Sequence, residues 1–425
     1  MTILITGAFG FVGSNLSAYL AESGYELWAL DLLRPPSGRN GACKKREGRA
    51  SGSQGDEVRK REAECPGKRK FYPHLCDHWV VTKSGRNGAC KNEQGNGAYT
   101  RCFGWDEMER IPWGEVDAVV HLAGKAHDTR NASDPQSYFD VNVGLTRKLL
   151  DAWMDGMETT ENTKSTEGVK GVISRKDAKT QRKFILFSSV KAVADRVEGV
   201  LTEEAVPDPQ TPYGQSKLEA EKEAQKFGNF KEMERDAANC ANTANIEPRA
   251  DGDQKTHECP YYILRPCMIH GPGNKGNLNL LYGVVRRGIP WPLGTFENQR
   301  SFASIGNVCA VVEGLLTKDV APGVYQVADD EALSTNELVR LIADASGRRA
   351  RVWRMPIGLM RALARIGDVL RLPLNSERLK KLTESYVVSN GKIKKALGWE
   401  RMPVDAREGL RRTIIATTQW SQWGV

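Results

Sequence analysis

Three side chains of this sequence could work together on a proton. Tyr213-Gly-Gln-Ser-Lys217 sets a phenol and an ammonium four residues apart, and on a helix that spacing puts both on one face. Free tyrosine ionises near pH ~10 and is a poor base at neutral pH. Lowering that value by ~3 units takes ~4 kcal/mol, within reach of two cations in a partly desolvated cleft, of which Lys217 is one. Ser189 follows the apolar run Phe184-Ile-Leu-Phe-Ser188 and precedes Tyr213 by 24 residues. Its hydroxyl can bond the reacting oxygen while the proton moves. Alone, a Tyr-x-x-x-Lys pair is most often an ordinary pair on a helix surface, so the chemical reading depends on what else the chain supplies.

It supplies a dinucleotide cradle. Gly7-Ala-Phe9-Gly10-Phe11-Val12-Gly13 lies between an apolar β-rich run at residues 2–6 and a helical pattern from Val12 to Ser23. Gly7 permits the tight turn, Gly10 lets backbone approach a pyrophosphate, and Gly13 lets helix pack closely on strand. The helix start adds N–H groups and a positive dipole end. Glu26 to Leu30 reads as a second strand ending at Asp31, 18 residues after Gly13. A carboxylate there accepts the ribose hydroxyls and repels a 2′-phosphate, so NAD is favoured over NADP, although Arg34 lies nearby.

The elements that must position these groups follow a βα alternation. Val116 to Leu122 and Phe184 to Ser188 read as strands, with a helix from Tyr138 to Met154 between them. A strand runs from Tyr261 into Arg265-Pro266, a helix spans about Asn279–Arg287, and Val324–Val327 reads as another strand. Ser334-Thr-Asn-Glu337 is a capping box. Residues 356–370 read as a basic amphipathic helix, taken as a solvated face in preference to a membrane-surface element.

Three polar stretches interrupt the pattern, at about 35–97, 158–183 and 227–259, with order returning at Trp105 after the first. They read as surface insertions. The first contains an echo, Ser37-Gly-Arg-Asn-Gly-Ala-Cys43-Lys44 and Ser84-Gly-Arg-Asn-Gly-Ala-Cys90-Lys91; two copies do not make a solenoid. From Arg34 to Lys70 there are twelve Lys/Arg and five Asp/Glu, so this segment holds seven of the net +8 charges. A general nucleic-acid surface is therefore not indicated. Nine cysteines, an odd number, argue against a disulfide framework. Cys65, His74, Cys76, His78, Cys90 and Cys102 lack the paired spacing of zinc knuckles, and no metal site is expected. No apolar run reaches the ~18–20 residues of a membrane span, and no secretory signal is read. The expectation is a cytoplasmic chain without membrane insertion.

Taken together, the sequence resembles an extended short-chain dehydrogenase/reductase of the NAD-dependent epimerase/dehydratase family, similar to UDP-glucose 4-epimerase-like nucleotide-sugar enzymes. The motifs are Thr6-Gly-Ala-Phe-Gly-Phe-Val-Gly-Ser14, His121-Leu-Ala-Gly124, Asn142, Ser188-Ser189, Tyr213-x-x-x-Lys217, Arg265-Pro-Cys-Met-Ile-His-Gly-Pro272 and Lys392-x-x-x-x-Leu397-Gly-Trp399. The resemblance implies an α/β fold: a Rossmann-type doubly wound parallel sheet over 1–265 and, over 266–425, mainly a smaller C-terminal α/β substrate lobe with segments returning to the sheet. It implies that Leu122, Ala123, Gly124 and Asn142 line the cofactor site, that Lys217 holds the nicotinamide ribose, and that Arg300 and Asn277 meet a nucleotide diphosphate.

The resemblance also narrows the reaction. Dehydratases of the family carry an acidic pair after the catalytic hydroxyl residue; this chain has Val190 and Lys191, which disfavours dehydration. An NAD-dependent epimerase acting on a UDP-sugar is the leading expectation, a 4-ketosugar-nucleotide reductase the alternative, and a non-catalytic dinucleotide sensor the third. Where many members have an asparagine three residues after the strand arginine, this chain has Met268. The form Arg-Pro-x-x-x-x-Gly-Pro resembles a subgroup linked to surface-polysaccharide sugars. A homodimer is left open.

Overall fold

The computed structural model describes residues 1–31, 99–126, 134–166, 182–242, 260–274, 277–370 and 375–422. Seven parallel strands form the central sheet: β1 (Thr2–Thr6), β2 (Glu26–Asp31), β3 (Arg101–Gly104), β4 (Ala118–His121), β5 (Lys183–Phe187), β7 (Tyr261–Pro266) and β10 (Gly323–Val327). Their order is β10-β7-β5-β4-β1-β2-β3. The order reverses at β1, next to β4, and ligands of such sheets bind at that point, beyond the strands' carboxyl ends.

Strand periodicity divides the core into two layers. Ile3, Ile5, Leu27, Ala29, Val120, Ile185 and Leu264 face one way and pack with Leu16 and Leu20 of α1 (Phe11–Glu22) and Val308, Val312 and Leu315 of α5 (Ile305–Thr317). Leu4, Trp28, Leu30, Val119, Phe184 and Ile263 face the other way, toward Leu149 and Trp153 of α2 (Gln136–Thr166) and Ala224 and Phe227 of α3 (Pro212–Asn242). Alternate side chains leave a strand on opposite faces, so a parallel sheet buried on both sides needs apolar residues at nearly every position.

A third core joins Leu278 and Tyr282 of α4 (Asn277–Arg286), Phe302 of β9 (Phe302–Ser304), Leu338 and Ile342 of α6 (Thr335–Ala345), Met360 and Ala364 of α7 (Ile357–Leu370) and Leu410 of α10 (Ala406–Gln422). β9 pairs with β8 (Met268–His270). α8 (Ser376–Thr383) lies against α7, and α9 (Gly391–Leu397) precedes α10. β6 (Val200–Leu201) and β11 (Val387–Val388) form a small separate pair. The capping box at Ser334 is formed with both reciprocal bonds to Glu337.

Several local expectations change. Tyr99 already belongs to the described structure, ahead of Trp105, and β3 extends the sheet by one strand that a four-residue segment had not disclosed. The stretch expected to be polar insert from Phe227 opens with a core residue: Phe227 is buried and stacks on Trp153, with ring centroids 5.9 Å apart. α2 and α3 run on to Thr166 and Asn242. In α3 the continuation 228–242 includes three Ala and two Glu, residues that favour a helix. Cys102 is disulfide-bonded, where no disulfide framework had been expected. Arg34, the Cys43/Cys90 echo and the remaining candidate zinc ligands lie outside the described residues.

Candidate active site

The glycine loop joins β1 to α1 at the switch point. Gly7 has φ +65°, and a Cβ there would stand 2.8 Å from the Ala123 nitrogen. A Cβ on Gly13 would meet the Gly7 carbonyl oxygen at 2.3 Å, and one on Gly10 would meet it at 3.2 Å. Backbone from β1, α1 and the β4 exit thus converges where side chains cannot fit. Gly10 caps α1 without a side-chain hydrogen bond, which leaves amide donors and a positive helix end for an anion. Phe9 packs edge-on against buried Tyr99 at 5.8 Å, and the Tyr99 hydroxyl donates to the Ala8 carbonyl at 3.1 Å. Asp31, at the end of β2, accepts the Phe9 N–H at 2.9 Å. The carboxylate expected to meet a ribose therefore also holds the loop. Phe11 and Val12 form the first turn of α1. This cradle fits a dinucleotide diphosphate, with Asp31 placed for its adenosine half.

A line of hydrogen bonds runs from this loop toward Tyr213. Thr6 Oγ1 accepts the Ala123 N–H at 3.0 Å and lies 2.7 Å from His121 Nδ1. His121 Nε2 lies 2.9 Å from Thr146 Oγ1, whose proton goes to the Asn142 carbonyl at 2.7 Å. With that hydroxyl committed, His121 must donate from Nε2 and accept at Nδ1. Burial, together with the Lys217 charge, pushes its pKa down to about 3, so it is a neutral spacer. The line continues through Asn142, whose Nδ2 donates to Ser216 Oγ at 2.9 Å, and Ser216 donates to the Tyr213 carbonyl at 2.8 Å. Asn142 Oδ1 also accepts the Lys125 N–H at 2.8 Å.

Tyr213, Lys217 and Glu221 follow one another at four-residue spacing along α3. The start of that helix is fixed by Asp195, which accepts the Gln210 and Thr211 N–H groups at 2.9 and 3.1 Å. A Cβ on Gly214 would lie 2.4 Å from the Lys191 carbonyl oxygen, so only glycine lets the helix approach the Ser189 loop this closely. The Ser189 hydroxyl is hydrogen-bonded to Tyr213 and accepts the Lys191 N–H at 3.2 Å. Burial raises the Tyr213 phenol above its ordinary value, and the Ser189 bond opposes that rise. The Lys217 ammonium donates to the Phe187 carbonyl at 3.0 Å; its expected lowering of the phenol, shared with an oxidised nicotinamide, belongs to the cofactor-bound site. Burial lowers Lys217 to about 8, with Glu221 pulling the other way. A Cβ on Gly124 would lie 3.0 Å from Lys217 Nζ and 2.8 Å from Asn142 Oδ1, so the β4 exit packs closely against α2 and α3 at these side chains.

The sequence did not disclose the support beneath this group. Arg265 Nη2 pairs with Glu221 Oε2 at 2.5 Å, both side chains being buried, and Ser188 donates to the same carboxylate. The one available signal was the four-residue step from Lys217 to Glu221. Val190 is buried, and Lys191 donates to the Asp195 carbonyl and lies 4.2 Å from the Tyr386 ring centroid; no carboxylic acid stands at either position.

The two substrate candidates lie apart from the triad in the chain. Arg300 is partly buried, pairs through its backbone with Leu333 and Tyr386, and donates from Nε to the Glu384 carbonyl at 3.2 Å. Asn277 opens α4, but the placement of its side chain lies outside the described residues. Cys267 and Cys309 are buried free thiols, and burial pushes both up, Cys309 to about 12. His270 bridges Thr413 at 2.9 Å and Asp329 at 3.3 Å, tying β8 to α10.

A doubly wound parallel sheet with a glycine cradle at its switch point and a strand-end serine beside a Tyr-x-x-x-Lys helix defines a dinucleotide-dependent enzyme of the extended short-chain dehydrogenase type. The family model "NAD dependent epimerase/dehydratase family" matches residues 3–59 and 77–328, more than half of the chain. The chain belongs to that family, which makes it an enzyme with NAD as its cofactor. It is 27% identical over 318 residues to a UDP-glucose 4-epimerase of Vibrio cholerae, covering 73% of this chain and 79% of that one. It is also 27% identical over 282 residues to an Escherichia coli O157:H7 protein named N-acetyl-alpha-D-glucosaminyl-diphospho-ditrans,octacis-undecaprenol 4-epimerase, covering 66% and 67%. The fold is shared with the UDP-glucuronic acid 4-epimerase of Bacillus cereus solved with NAD, at a TM-score of 0.58 and 16% identity, covering 99% of this chain and 100% of that one.

Proposed function

We propose that the chain is a cytoplasmic NAD-dependent nucleotide-sugar epimerase of the UDP-sugar 4-epimerase type, with Ser189, Tyr213 and Lys217 as its catalytic residues. The observation that carries this reading is the junction of cradle and triad: Gly124 abuts Lys217 and Asn142 while Ser189 is bonded to Tyr213. The relatives named for 4-epimerases agree with it.

Gly7, Gly10, Gly13 and the start of α1 hold the diphosphate of NAD, Asp31 its adenosine ribose, and Leu122 to Gly124 with Lys217 its nicotinamide half. Bound there, NAD supplies a reversible hydride acceptor. Tyr213 takes the proton of the sugar 4-hydroxyl and later returns it. Its burial favours the neutral phenol, so it becomes a base only when positive charge adjoins it. Ser189 bonds the same sugar oxygen and holds it in line with the phenol. Lys217, anchored on the Phe187 carbonyl, fixes the nicotinamide ribose. Arg300 is assigned to the substrate diphosphate, which its planar donor fork suits, and Asn277 to the same ligand. Val190 and Lys191 supply no carboxylic acid beside Ser189 for expelling water from a keto-sugar, which favours epimerisation over dehydration.

The test is incubation with a panel of UDP-sugars, with and without added NAD or NADH, and chromatographic separation of products. Interconversion of two epimers without net NADH consumption supports the reading. Consumption of NADH only with a 4-keto sugar makes the chain a reductase, and inertness toward every sugar with NAD still bound makes it a sensor.

A further inference from the structure

α7 carries two apolar faces, and only one has a partner. Met360 and Ala364 are buried in the smaller lobe's core. Around the helix from them, Leu359 (46% exposed), Leu363 (40%), Ile366 (51%) and Val369 (82%) form a second stripe, at steps of four, three and three. That spacing keeps them on one side of a helix of 3.6 residues per turn. Ile357 at the helix start is also more than a third exposed. Trp353 stands just before the helix, 57% exposed, its backbone fixed by bonds to Trp291 and Gly294. Isolated exposed apolar residues are ordinary; a contiguous row of large ones along a helix marks a surface that something covers.

The charge around this stripe identifies the cover. Between Ala345 and Gly367 there are six arginines (348, 349, 351, 354, 361 and 365) and no carboxylate. Arg365 borders the apolar stripe one turn before Val369, Arg361 lies one turn before Arg365, and both are exposed. Among the described residues none of the six forms an ion pair. A solvated face of a small lobe, the expectation from sequence, has no need of four large aliphatic side chains. A second copy of the chain would bring the same six positive charges against these. An anionic lipid surface instead offers hydrocarbon for the stripe and phosphates for the guanidinium forks, with Trp353 at headgroup depth. Among the described residues no helix is long and apolar enough to cross a membrane, so the contact is interfacial.

We propose that α7 and Trp353 dock this protein on the surface of an anionic lipid bilayer. Helix and tryptophan lie flat in the headgroup region, and the arginines set the preference for negative lipid. The sheet and its cradle remain in water.

Sedimentation of the full chain with phosphatidylcholine vesicles, with and without phosphatidylglycerol, tests this. The chain should partition onto vesicles containing phosphatidylglycerol, bind pure phosphatidylcholine weakly, and lose binding in high salt. The triple variant Leu359→Gln, Leu363→Gln, Ile366→Gln should bind roughly tenfold more weakly, and so should Arg361→Glu with Arg365→Glu. All altered side chains are exposed, and unchanged NAD binding and thermal unfolding would show that the variants are folded. Absence of binding by the parent chain, or binding by either variant as strong as the parent's, overturns the proposal. So does a dimer, seen by light scattering, that the triple variant dissociates while vesicles bind neither form.

Discussion

Replacing Lys217 by methionine should make the protein more stable at neutral pH while removing its turnover. The ammonium is buried, 8% exposed, and burial holds its pKa at about 8 against an ordinary 10.5. The difference of 2.5 units, at ~1.36 kcal/mol per unit, is a penalty of about 3 kcal/mol for keeping the folded chain charged. Loss of the bond to the Phe187 carbonyl returns about 1 kcal/mol, which leaves a net gain of about 2 kcal/mol. The folded pKa lies below the unfolded one, so between the two the unfolded chain binds more protons and stability rises with pH. The penalty is therefore full below pH 8, fades between 8 and 10.5, and is absent above that. Urea unfolding of both proteins at steps from neutral pH to about pH 11 reads this directly as a difference between two curves. The variant should lead at neutral pH, and its lead should vanish and slightly reverse at the alkaline end. A variant less stable than the parent at neutral pH, or a lead that does not change with pH, would refute the reasoning that Lys217 is a buried cation kept for function at a cost in stability.

Other variants separate chemistry from scaffold. Tyr213→Phe should lower turnover by at least ~10²-fold while NAD affinity, measured by calorimetry, stays within about twofold. Gly13→Ala sets a methyl 2.3 Å from the Gly7 carbonyl oxygen; the loop must shift, and NAD affinity should fall at least roughly tenfold. Arg265→Met leaves the Glu221 carboxylate buried without its cation and should cost about 3–5 kcal/mol in denaturant unfolding. Adding Glu221→Leu should restore most of that loss, whereas a double variant as unstable as the single one would show that the pair is not the source.

The parts of the candidate site legible in the sequence are those in which neighbouring positions share a task. The glycine loop needs three small residues within one turn, and each can be interpreted from its spacing alone. Strands β1, β5 and β7 are buried on both faces and appear as continuous apolar runs. Tyr213 and Lys217 fall on one face by helical arithmetic. What escaped depends on partners distant in the chain. Glu221 meets Arg265 across 44 residues, and Thr6 meets His121 across 115; neither residue type says which partner it will find. β3 is four residues long, Arg-Cys-Phe-Gly, too short for periodicity to register, and Tyr99 beside it reveals its bond to the glycine loop only once the strand is in place. Phe227 was assigned to a polar stretch because its apolar partner, Trp153, belongs to another helix. The second apolar face of α7 was hidden for a related reason: a periodic pattern shows that a helix has apolar positions, but not which of them the core will use.

Hydride return within one active site is tested most directly by a UDP-sugar carrying deuterium at carbon 4. An epimerase working through Tyr213 and bound NAD moves that deuterium out and back without exchange with water. The expected result is a product epimer that retains deuterium at carbon 4, formed more slowly than from the unlabelled sugar, with no net change in NADH. Product carrying solvent hydrogen at carbon 4, or a labelled sugar reduced with consumption of NADH, would contradict it.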